Sequence, residues 1–558
     1  MSRLLLVLAL LCACSPDLPL PSPAAPQSVP AAGKISVRLM NKDVMLDYVV
    51  RGGFLIAEDD MIIAAIPDTG EELHAAAAFK VTMGSTWPGG LVPYVIDAKL
   101  PATTVRDIRT AIADWNASSS IKLIPRTTDR DYVNFTDGGG GACQSYVGKV
   151  GGQQNIDLAP NCGLGAARHE IGHALGLFHE QSRSDRDAYV DIFWPNIEAG
   201  KAFAFNKYPP GTGWDIGGYN YRSLMHYESL AFSSNGMPTI LAKGGYVIAR
   251  NNDIAPSDHC TISFIYFRTH RIPTGVPAPA DYDGDGKIDI SVKDSACGLW
   301  LIDYAGNGFG SWDAAYIGYG GESFHPVPAD YDGDGKADLS VKGDNEYWGI
   351  DYAKNGFGHW DVELTGYGPR IFHPVPADYD GDRKADLSVK GDNAYWGLDY
   401  AANGFGLWDR DLGGYGDSSF VPTAADFDGD GKADITVKGT NGYLGIDLAS
   451  NGHGLWDLEF GGRGGAGYHF APADLDGDGR ADISIKGNDG SWRIDYAKNG
   501  FGVWDQELGG YGSGDFVPVP ADYDGDRQAD LCVKGRDGRW LIDYARNGFG
   551  AWDVVISH

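Results

Sequence analysis

The sequence predicts a multidomain protein, in which an α+β domain built around a metal-binding helix precedes an all-β domain of repeats. One observation behind this prediction is the run His-Glu-x-x-His-x-x-Gly-x-x-His at 169–179. The other is a unit of 48 or 49 residues that recurs six times from Val276 onward. A chain of 558 residues is long enough for several domains. A repeat of this length is typical of a propeller or an array rather than of independent domains.

The first 14 residues predict an export signal. One positive charge is followed by an apolar run at 4–11 that is too short to span a membrane. A small residue directly before Cys14 resembles the processing box of bacterial lipoproteins, so Cys14 is the candidate lipidated N-terminus and 15–32 is a proline-rich tether. The alternative is an ordinary secretory signal. We therefore expect an exported protein, either a lipoprotein of the bacterial cell envelope (at the outer membrane) or a secreted one.

The run at 169–179 predicts a catalytic zinc site. On a helix, His169 and His173 lie one turn apart on the same face. Gly176 can adopt the left-handed conformation that ends a helix, and the returning chain brings His179 in as a third nitrogen ligand. Three protein ligands leave a position for water, as in catalytic rather than structural zinc sites. Glu170 lies beside the ligands and is placed to take the proton of that water.

The sequence around this motif resembles the astacin family of zinc endopeptidases, within the metzincins. Glu180 follows the last histidine, and the run Ser-Leu-Met-His-Tyr stands at 223–227. The likeness extends from about Trp87 to Phe267 and includes Val-Pro-Tyr-Val from position 92 and Cys-Gln-Ser-Tyr-Val-Gly from position 143. We therefore assign 87–268 to a metzincin-type zinc protease domain that acts on proteins or peptides.

The resemblance implies catalytic roles for the matching residues. Glu170 would act as general base and then as proton donor to the leaving amine. Tyr227 would stabilise the oxyanion, since a phenol hydroxyl can donate to developing negative charge. The resemblance implies three zinc ligands: His169, His173 and His179.

Two further residues take supporting roles in this resemblance. Met225 would form the apolar turn beneath the metal, and Glu180 would bind, through water, the N-terminus made on activation. Without the zinc motif upstream, ordinary core packing would account for Met225 and Tyr227. Glu180 could instead contact an arginine such as Arg183 or Arg186.

The cysteines depart in part from the family pattern, which usually has two disulfides in this domain. The resemblance pairs Cys143 with Cys162. Serines stand at 119–120, where the family commonly has an earlier cysteine, so Cys260 lacks its expected partner. A pair with Cys297 is one alternative for Cys260.

Residues 33–86 are expected to be a propeptide because they lie between the tether and the enzyme. The run Phe-Leu-Ile-Ala-Glu-Asp-Asp-Met-Ile at 54–62 is similar to the short acidic motif with which some astacin propeptides cap zinc through an aspartate. This alignment selects Asp60 as the possible zinc cap of the zymogen. The alternative is an acidic turn between two strands.

Hydrophobic periodicity predicts the elements of the protease domain. A helix is expected at about Thr104–Asn116, because Val105, Ile108, Ile112 and Trp115 fall on one of its faces. The last strand before the zinc helix is expected to be the edge strand, with which an extended substrate can pair through its backbone. The predicted strands are Leu91–Asp97, Ile121–Pro125, Tyr132–Thr136 and Asn155–Leu158.

The repeats at 276–558 predict a six-bladed β-propeller. Each unit contains four short strands, which is the composition of a propeller blade. The units also resemble FG-GAP/VCBS-type repeats, because each contains the pattern Asp-x-Asp-Gly-Asp-x-x-x-Asp. In the second unit the expected strands are His325–Ala329, Asp338–Lys342, Tyr347–Tyr352 and His359–Leu364.

The acidic loops of the repeats predict calcium sites, because carboxylates at positions 1, 3, 5 and 9 suit a hard cation. Position 6 is glycine in four loops but Arg383 and Arg527 in two, which would strain those loops by about 1 kcal/mol if the position needs positive φ. The alternative is a set of solvated acidic turns. The proposed calcium ligands are Asp281, Asp283, Asp285 and Asp289; Asp330, Asp332, Asp334 and Asp338; Asp378, Asp380, Asp382 and Asp386; Asp426, Asp428, Asp430 and Asp434; Asp474, Asp476, Asp478 and Asp482; and Asp522, Asp524, Asp526 and Asp530.

Together these patterns predict a secreted or surface-tethered zinc-dependent endopeptidase whose repeat domain serves for targeting or spacing. The alternative is a surface adhesion or lectin-like protein in which the protease unit is accessory or inactive. The recurring tryptophans of the repeats could bind glycans or surface proteins, or they could be buried between blades. The net charge of −30 argues against nucleic-acid partners, and a lipid anchor would be the route to a membrane.

Overall fold

The computed structural model describes residues 31–39, 42–51, 54–65, 81–83, 85–117, 121–139, 141–208, 215–267 and 275–557. The predicted signal peptide, with Cys14, lies outside the described residues, as does nearly all of the tether. Within the described part, no helix combines the length and the apolar character that crossing a bilayer requires.

A sheet of ten strands forms the framework of the N-terminal half. Its first five strands come from the segment expected to be the propeptide, and the other five belong to the protease domain. Their order across the sheet is β5-β1-β2-β3-β4-β9-β10-β8-β6-β7. The strands are β1 (Ala32–Leu39), β2 (Lys42–Arg51), β3 (Phe54–Ala57), β4 (Met61–Ala65), β5 (Val81–Met83), β6 (Leu91–Ile96), β7 (Lys122–Pro125), β8 (Tyr132–Thr136), β9 (Cys143–Tyr146) and β10 (Gln153–Leu158).

The helices and a small second sheet complete the protease domain. The predicted apolar face of the first helix is confirmed, because Ile108, Ile112 and Trp115 are buried in the main core. The zinc helix packs beside it, and the indole of Trp115 donates to the carbonyl of Arg168 at 2.9 Å. These elements are α1 (Ala102–Trp115), α2 (Gly163–Leu175), α3 (Pro256–Ile265) and the antiparallel pair β11 (Val190–Ile192) and β12 (Ile240–Ala242).

The prediction of the edge strand was wrong. The strand at Asn155–Leu158 exists as part of β10, but β9 and β8 flank it on both sides. The edge of the protease strands is therefore β9, which is too short and too polar to be recognised from sequence. Strand β4 of the expected propeptide pairs with β9 in parallel, with Met61 opposite Ser145. The edge on which a substrate could lie is thus covered by the N-terminal segment.

The repeats form six antiparallel sheets of four strands each, one per unit. The first unit gives β13 (Val276–Pro277), β14 (Ile290–Asp294), β15 (Leu299–Asp303) and β16 (Ala314–Ile317). The second and third give β17 (Phe324–Pro326), β18 (Leu339–Gly343), β19 (Trp348–Asp351), β20 (Val362–Leu364), β21 (Phe372–Pro374), β22 (Leu387–Gly391), β23 (Asn393–Asp399) and β24 (Arg410–Asp417). The fourth gives β25 (Phe420–Ala425), β26 (Asp434–Gly439), β27 (Leu444–Asp447) and β28 (Leu458–Phe460). The last two give β29 (Tyr468–Phe470), β30 (Ile483–Gly487), β31 (Trp492–Asp495), β32 (Gln506–Leu508), β33 (Phe516–Pro518), β34 (Leu531–Gly535), β35 (Arg539–Asp543) and β36 (Val554–Ser557).

One backbone hydrogen bond repeats between neighbouring sheets and shows that they close into a ring. The amide of Ala337 in the second blade donates to the carbonyl of Asp281 in the first at 2.7 Å, and each later blade repeats this contact. The same bond joins the ends, since the amide of Ile288 donates to the carbonyl of Asp522 at 2.8 Å. The prediction of a six-bladed propeller is therefore confirmed.

The recurring tryptophans are part of the propeller core. The series Trp300, Trp348, Trp396, Trp492 and Trp540 is fully buried. The tryptophans of the Asn-Gly-x-Gly-x-Trp-Asp turns pack between blades; Trp360, for example, meets Tyr319 of the preceding blade edge-on at 5.0 Å between ring centroids. Burial between blades was one of the two alternatives that the sequence left open, and the structure favours it.

A disulfide joins the two halves of the molecule. Cys260 on α3 pairs with Cys297 in the first blade, while Cys143 pairs with Cys162 inside the protease domain. Phe264 and Phe267 lie next to this bridge, packed against an apolar cluster that contains residues of the first and sixth blades. Helix α3 is thus fixed, covalently and by packing, at the seam between the first and sixth blades, where the ring closes.

Removal of this interdomain bridge should destabilise the chain. Because 37 residues separate the two cysteines, replacing both Cys260 and Cys297 by serine should lower the free energy of unfolding by about 4 kcal/mol. Denaturant unfolding of the oxidised proteins measures the loss. The difference between wild type and variant should disappear in a reducing buffer, and a difference that persists there would contradict this origin.

Candidate active site

The three histidines of the sequence motif come together at the end of α2. His169 and His173 lie on one face of the helix, with ring centroids 4.7 Å apart. The helix ends at Gly176, whose φ of 114° confirms the predicted left-handed conformation. The chain then returns His179 to the other two, and its Nε2 lies 3.2 Å from Nε2 of His169. His173 and His179 are almost fully buried.

Each imidazole is oriented by a contact at its Nδ1 atom. His169 Nδ1 contacts the carbonyl of Leu224 at 3.0 Å, and His173 Nδ1 contacts the carbonyl of Leu177 at 2.8 Å. His179 Nδ1 instead contacts the carboxylate of Glu58 at 2.6 Å. An imidazole that donates from Nδ1 presents the lone pair of Nε2, which is the form that binds a metal.

The carboxylate of Asp60 lies in the middle of this histidine cluster. Its Oδ2 is 3.3 Å from His179 Nε2 and 3.7 Å from His169 Nε2, and its Oδ1 is 3.9 Å from His173 Nε2. His173 Nε2 and Asp60 Oδ1 are buried and have no hydrogen-bond partner among the residues that the structure describes. Three imidazole nitrogens and one carboxylate oxygen form a donor set that suits tetrahedral Zn²⁺, so the residues present fit this metal.

The electrostatics of the cluster also favour a cation. Burial opposes ionisation of Asp60, but the charge of His179 and hydrogen bonds from His169 and His179 hold its pKa far below the usual range. Burial lowers the pKa of His179, whereas Asp60 and Glu58 raise it more, to about 10. A buried carboxylate that stays ionised among histidines attracts positive charge.

Glu170 lies on α2 next to the first histidine of the cluster. Its side chain is buried, and its Oε2 has no hydrogen-bond partner in the described part of the chain. Burial and the neighbouring charge of Asp60 raise the pKa of this carboxyl well above its usual value. The chain thus holds an acid–base group of high proton affinity beside the cluster, with one of its two oxygens unpaired.

Tyr227 lies against the third histidine, with ring centroids 4.8 Å apart. Its hydroxyl donates to the backbone carbonyl of Glu58 at 2.7 Å. Burial, and the acidic groups of the N-terminal segment, raise the pKa of the phenol well above 10, so it stays a hydrogen-bond donor. The donor that the sequence assigns to an oxyanion is therefore held by the expected propeptide.

Met225 and Glu180 occupy supporting positions around the cluster. A Cβ atom at Gly172 would lie 3.0 Å from Met225 Sδ, so the thioether packs against α2 at the residue before His173. Glu180 is almost buried; it accepts from the amide of Asn220 at 2.8 Å and lies 3.6 Å from Arg183. Burial raises its pKa to about 7. The arginine contact expected as an alternative is present, and the role in binding a new N-terminus stays a prediction.

The acidic turn of the N-terminal segment contains features that the sequence did not reveal. Glu58, Asp59 and Asp60 form the turn between β3 and β4, and the first two adopt φ values of 48° and 78°. The left-handed conformation costs about 1–2 kcal/mol for each such residue. Asp59 Oδ1 binds Arg51 at 3.1 Å and Lys201 at 2.5 Å, which holds the turn in place. Sequence reasoning selected Asp60 but missed Glu58, although three adjacent acids between apolar strands were a visible signal.

The acidic loops of the repeats bring their carboxylates together, as the sequence predicts. In the first loop Asp281 accepts from the amides of Gly284 and Gly286 at 2.7 and 2.9 Å. The ninth position is buried in every loop, and burial raises the pKa of each of these carboxyls to about 7. In each of the first four loops, three carboxylates lie close enough together to share one ion. The aspartate at position 3 belongs to the group in every case; these residues are Asp283, Asp332, Asp380 and Asp428.

The residue at the sixth position of these loops has a left-handed backbone. In three loops, a basic side chain also forms an ion pair with the carboxylate at position 3. Glycine occupies this position in four loops, while Arg383 and Arg527 adopt φ of 70° and 71°, which confirms that the position needs positive φ. In the second, fifth and sixth loops a basic residue reaches the carboxylate at position 3. These pairs are Lys354–Asp332 at 2.6 Å, Lys498–Asp476 at 2.8 Å and Arg546–Asp524 at 2.7 Å.

Known families and proteins match both halves of this chain. The sequence model of the Astacin peptidase family matches residues 80–266, and that of the FG-GAP-like repeat matches 281–341. The curated relative "Zinc metalloproteinase nas-15" of Caenorhabditis elegans is 39% identical over 184 residues, which are 32% of this chain and 32% of that protein. "Blastula protease 10" of Paracentrotus lividus is 32% identical over 270 residues, 45% of this chain and 44% of that protein. The chain thus spans 32% and 44% of the length of these two relatives.

Among solved structures, one similar chain is high choriolytic enzyme 1, a hatching enzyme zinc-protease from Oryzias latipes. It is 32% identical, and the match covers 33% of this chain and 94% of that one, with a TM-score of 0.30.

Proposed function

From the membership of residues 80–266 in the astacin family of zinc metalloproteinases, we propose that this chain is an exported zinc-dependent endopeptidase that hydrolyses internal peptide bonds of proteins. The observation that carries the proposal is the convergence of three histidines, two of them buried and His169 half-buried, beside Glu170, whose buried Oε2 has no hydrogen-bond partner among the described residues. Export follows from the predicted signal, with Cys14 as the proposed lipid anchor in the bacterial envelope or, alternatively, with secretion.

The geometry assigns a task to each polar group of the site. Zinc, when bound by the three histidines, supplies a Lewis acid that acidifies water and polarises a carbonyl group. Glu170 takes the proton of the attacking water and returns it to the leaving amine. The Tyr227 hydroxyl donates to the oxygen on which negative charge develops. Contacts at the Nδ1 atoms keep the imidazoles in the required orientation.

Strand β9 is the proposed platform for the substrate. Its outer edge pairs with Met61 and Ile62 of β4, so an extended backbone fits there. When β4 leaves, the edge can pair with an extended segment of another protein through main-chain hydrogen bonds. Recognition through the backbone supports proteins and peptides as the substrate class.

Residues 33–86 are proposed to keep the enzyme latent. They cover the substrate edge with β4, place Asp60 in the histidine cluster and engage Tyr227 through the carbonyl of Glu58. Activation would then require a cut between about His74 and Thr86, which frees an N-terminus to approach Glu180. Most of that stretch lies outside the described residues.

The direct test is a cleavage assay of the activated chain on a peptide mixture derived from a proteome. We expect products cut at internal bonds, loss of activity on chelation and recovery on addition of zinc. Mass spectrometry of the products distinguishes internal cuts from trimming at the ends. Activity that survives complete removal of zinc would exclude the proposal.

Calcium binding to the acidic loops is proposed to stabilise the ring. Clustered carboxylates repel one another, so a bound cation that neutralises them favours the folded state. Millimolar calcium should therefore raise the melting temperature of the full chain, and a calcium chelator should lower it. Replacing Asp283 and Asp285 by asparagine should reduce this response in part, because the loops of the other blades remain. A melting temperature that does not respond to calcium would contradict calcium binding and support the alternative of solvated acidic turns.

The repeat domain is proposed to space and position the enzyme. The buried tryptophans and the Cys260–Cys297 bridge support this role, because the aromatic side chains serve the core and the enzyme is fixed to the first blade. The adhesion or lectin-like alternative would use the outer surface of the ring. There Leu407, Leu455 and Val503 occupy the same position in three consecutive blades and are 84%, 83% and 73% exposed.

A further inference from the structure

We infer that Glu58 is a positioning residue for the metal site, so that the latent precursor holds zinc more tightly than the activated enzyme does. The inference rests on the proposed function, because it concerns the same histidine cluster. It adds a second task to the N-terminal segment: besides covering the site, the segment completes the hydrogen bonding of one ligand.

The three histidines differ in where their Nδ1 partners come from. His169 and His173 contact the carbonyls of Leu224 and Leu177, both within the protease domain. His179 contacts the carboxylate of Glu58, a residue 121 positions earlier in the chain, at 2.6 Å. An ionised acceptor makes a stronger hydrogen bond than a neutral carbonyl and makes the opposite nitrogen of the ring a better ligand.

Several contacts hold Glu58 in its position next to His179. The residue is 5% exposed, and its backbone is held in a left-handed conformation. Its carbonyl accepts from the Tyr227 hydroxyl at 2.7 Å, and the next residue is paired with Arg51 and Lys201. Strained backbone persists only where surrounding contacts determine it, and such strain concentrates at functional sites.

Activation would change the three ligands unequally. When the N-terminal segment leaves, Leu224 and Leu177 stay in place, and their histidines keep their orientation. His179 loses the acceptor that orients it, and Asp60 leaves the cluster at the same time. Zinc affinity should therefore fall on activation for two separable reasons, one of which is the loss of the Glu58 contact.

The test measures zinc affinity of the full-length precursor by competition with a chelator of known affinity. All proteins carry Glu170→Gln so that the precursor does not cut itself. Glu58→Gln should weaken zinc binding by about 10- to 100-fold, the scale found when a hydrogen-bond partner of a metal ligand is lost. The same factor should appear in an Asp60→Asn background, because the two contributions are separate. The matched control is Glu198→Gln, an exposed acid of the protease domain, which should bind zinc like the parent.

Two further readouts keep the test decisive if Glu58→Gln folds poorly. The first is the proton resonance of His179 Nδ1 in the precursor, which should move upfield in the more conservative Glu58→Asp variant. The second compares proteins without a substitution at Glu58: the activated enzyme should release zinc faster than the Asp60→Asn precursor. Equal zinc affinity of Glu58→Gln and parent, or equal release in the second comparison, would overturn the inference. A parent precursor that binds no zinc would instead overturn the proposed function.

Discussion

Replacement of Glu170 by glutamine should slow peptide hydrolysis by at least about a hundredfold, the usual scale for the loss of a general base. The side chain keeps its size, but an amide cannot take a proton from water. Zinc should stay bound, because the three histidines supply the ligands and Glu170 Oε2 makes no hydrogen bond. The measurement is kcat/KM of the activated enzyme on an internally quenched peptide, together with the zinc content of the same sample.

The control for this substitution is Glu198→Gln, which removes an exposed carboxylate from the same domain and should leave kcat/KM unchanged. Tyr227→Phe provides a second comparison, since it should lower kcat and leave the zinc content nearly unchanged. Wild-type cleavage rates in a zinc-loaded Glu170→Gln protein would show that the base lies elsewhere.

Replacement of Asp60 by alanine should give a precursor with premature activity. Its carboxylate lies 3.3 Å from His179 Nε2 and faces all three histidines. Hydrogen bonds to charged groups contribute about 1.5–3 kcal/mol, and each 1.4 kcal/mol corresponds to a tenfold change in population. The activity of the uncut precursor should thus rise by about tenfold to a hundredfold, measured on the same peptide while mass spectrometry confirms that residues 33–86 are intact.

The matched control for the precursor is Asp47→Ala. Asp47 lies on β2 of the same segment and pairs with Lys34 and Asn206 rather than with a histidine of the cluster. This variant should remain as inactive as the wild-type precursor. A wild-type precursor that is fully active before any cut would contradict the latency of the segment.

The centre of the site was predictable because its geometry is local. His169, His173 and Gly176 belong to one helix and its end, and the left-handed conformation at that end determines the return of His179. The helix and strands of the protease domain fall within about two residues of their predicted bounds for the same reason, since each follows from its own periodicity.

The parts that sequence did not reveal depend on contacts between distant segments. Three adjacent acids between apolar strands mark this turn in the sequence, but which of them contacts His179 depends on how β3 and β4 pack beside the zinc helix. Strand β9 was missed because it is short and polar, and it becomes a strand through pairing on both sides. The Cys260–Cys297 pair was only one alternative until α3 was placed against the first blade.

In the repeats, too, the sequence predicted the local pattern of the strands but not all of their bounds. The period of the sequence predicted four strands in each unit and six blades, and the structure agrees. In the second unit, however, the outer strands are shorter than expected, since only 324–326 and 362–364 pair as strands. Beyond 326 the pairing continues only through the amide of Val327 and an isolated bridge between Ala329 and Asp338, because Pro328 has no amide hydrogen to donate.

The seam of the ring bears on the order in which the chain folds during synthesis. All four strands of the sixth blade come from consecutive sequence, so no strand from the start of the ring is shared with its end. Closure therefore depends on side-by-side docking, and Phe264 and Phe267 contribute to the apolar cluster at that place. These residues leave the ribosome before any blade does, and domains generally fold as they emerge. The folded N-terminal half would thus already present α3 next to the first blade when the sixth blade is synthesised, and it would provide a surface on which the ring closes.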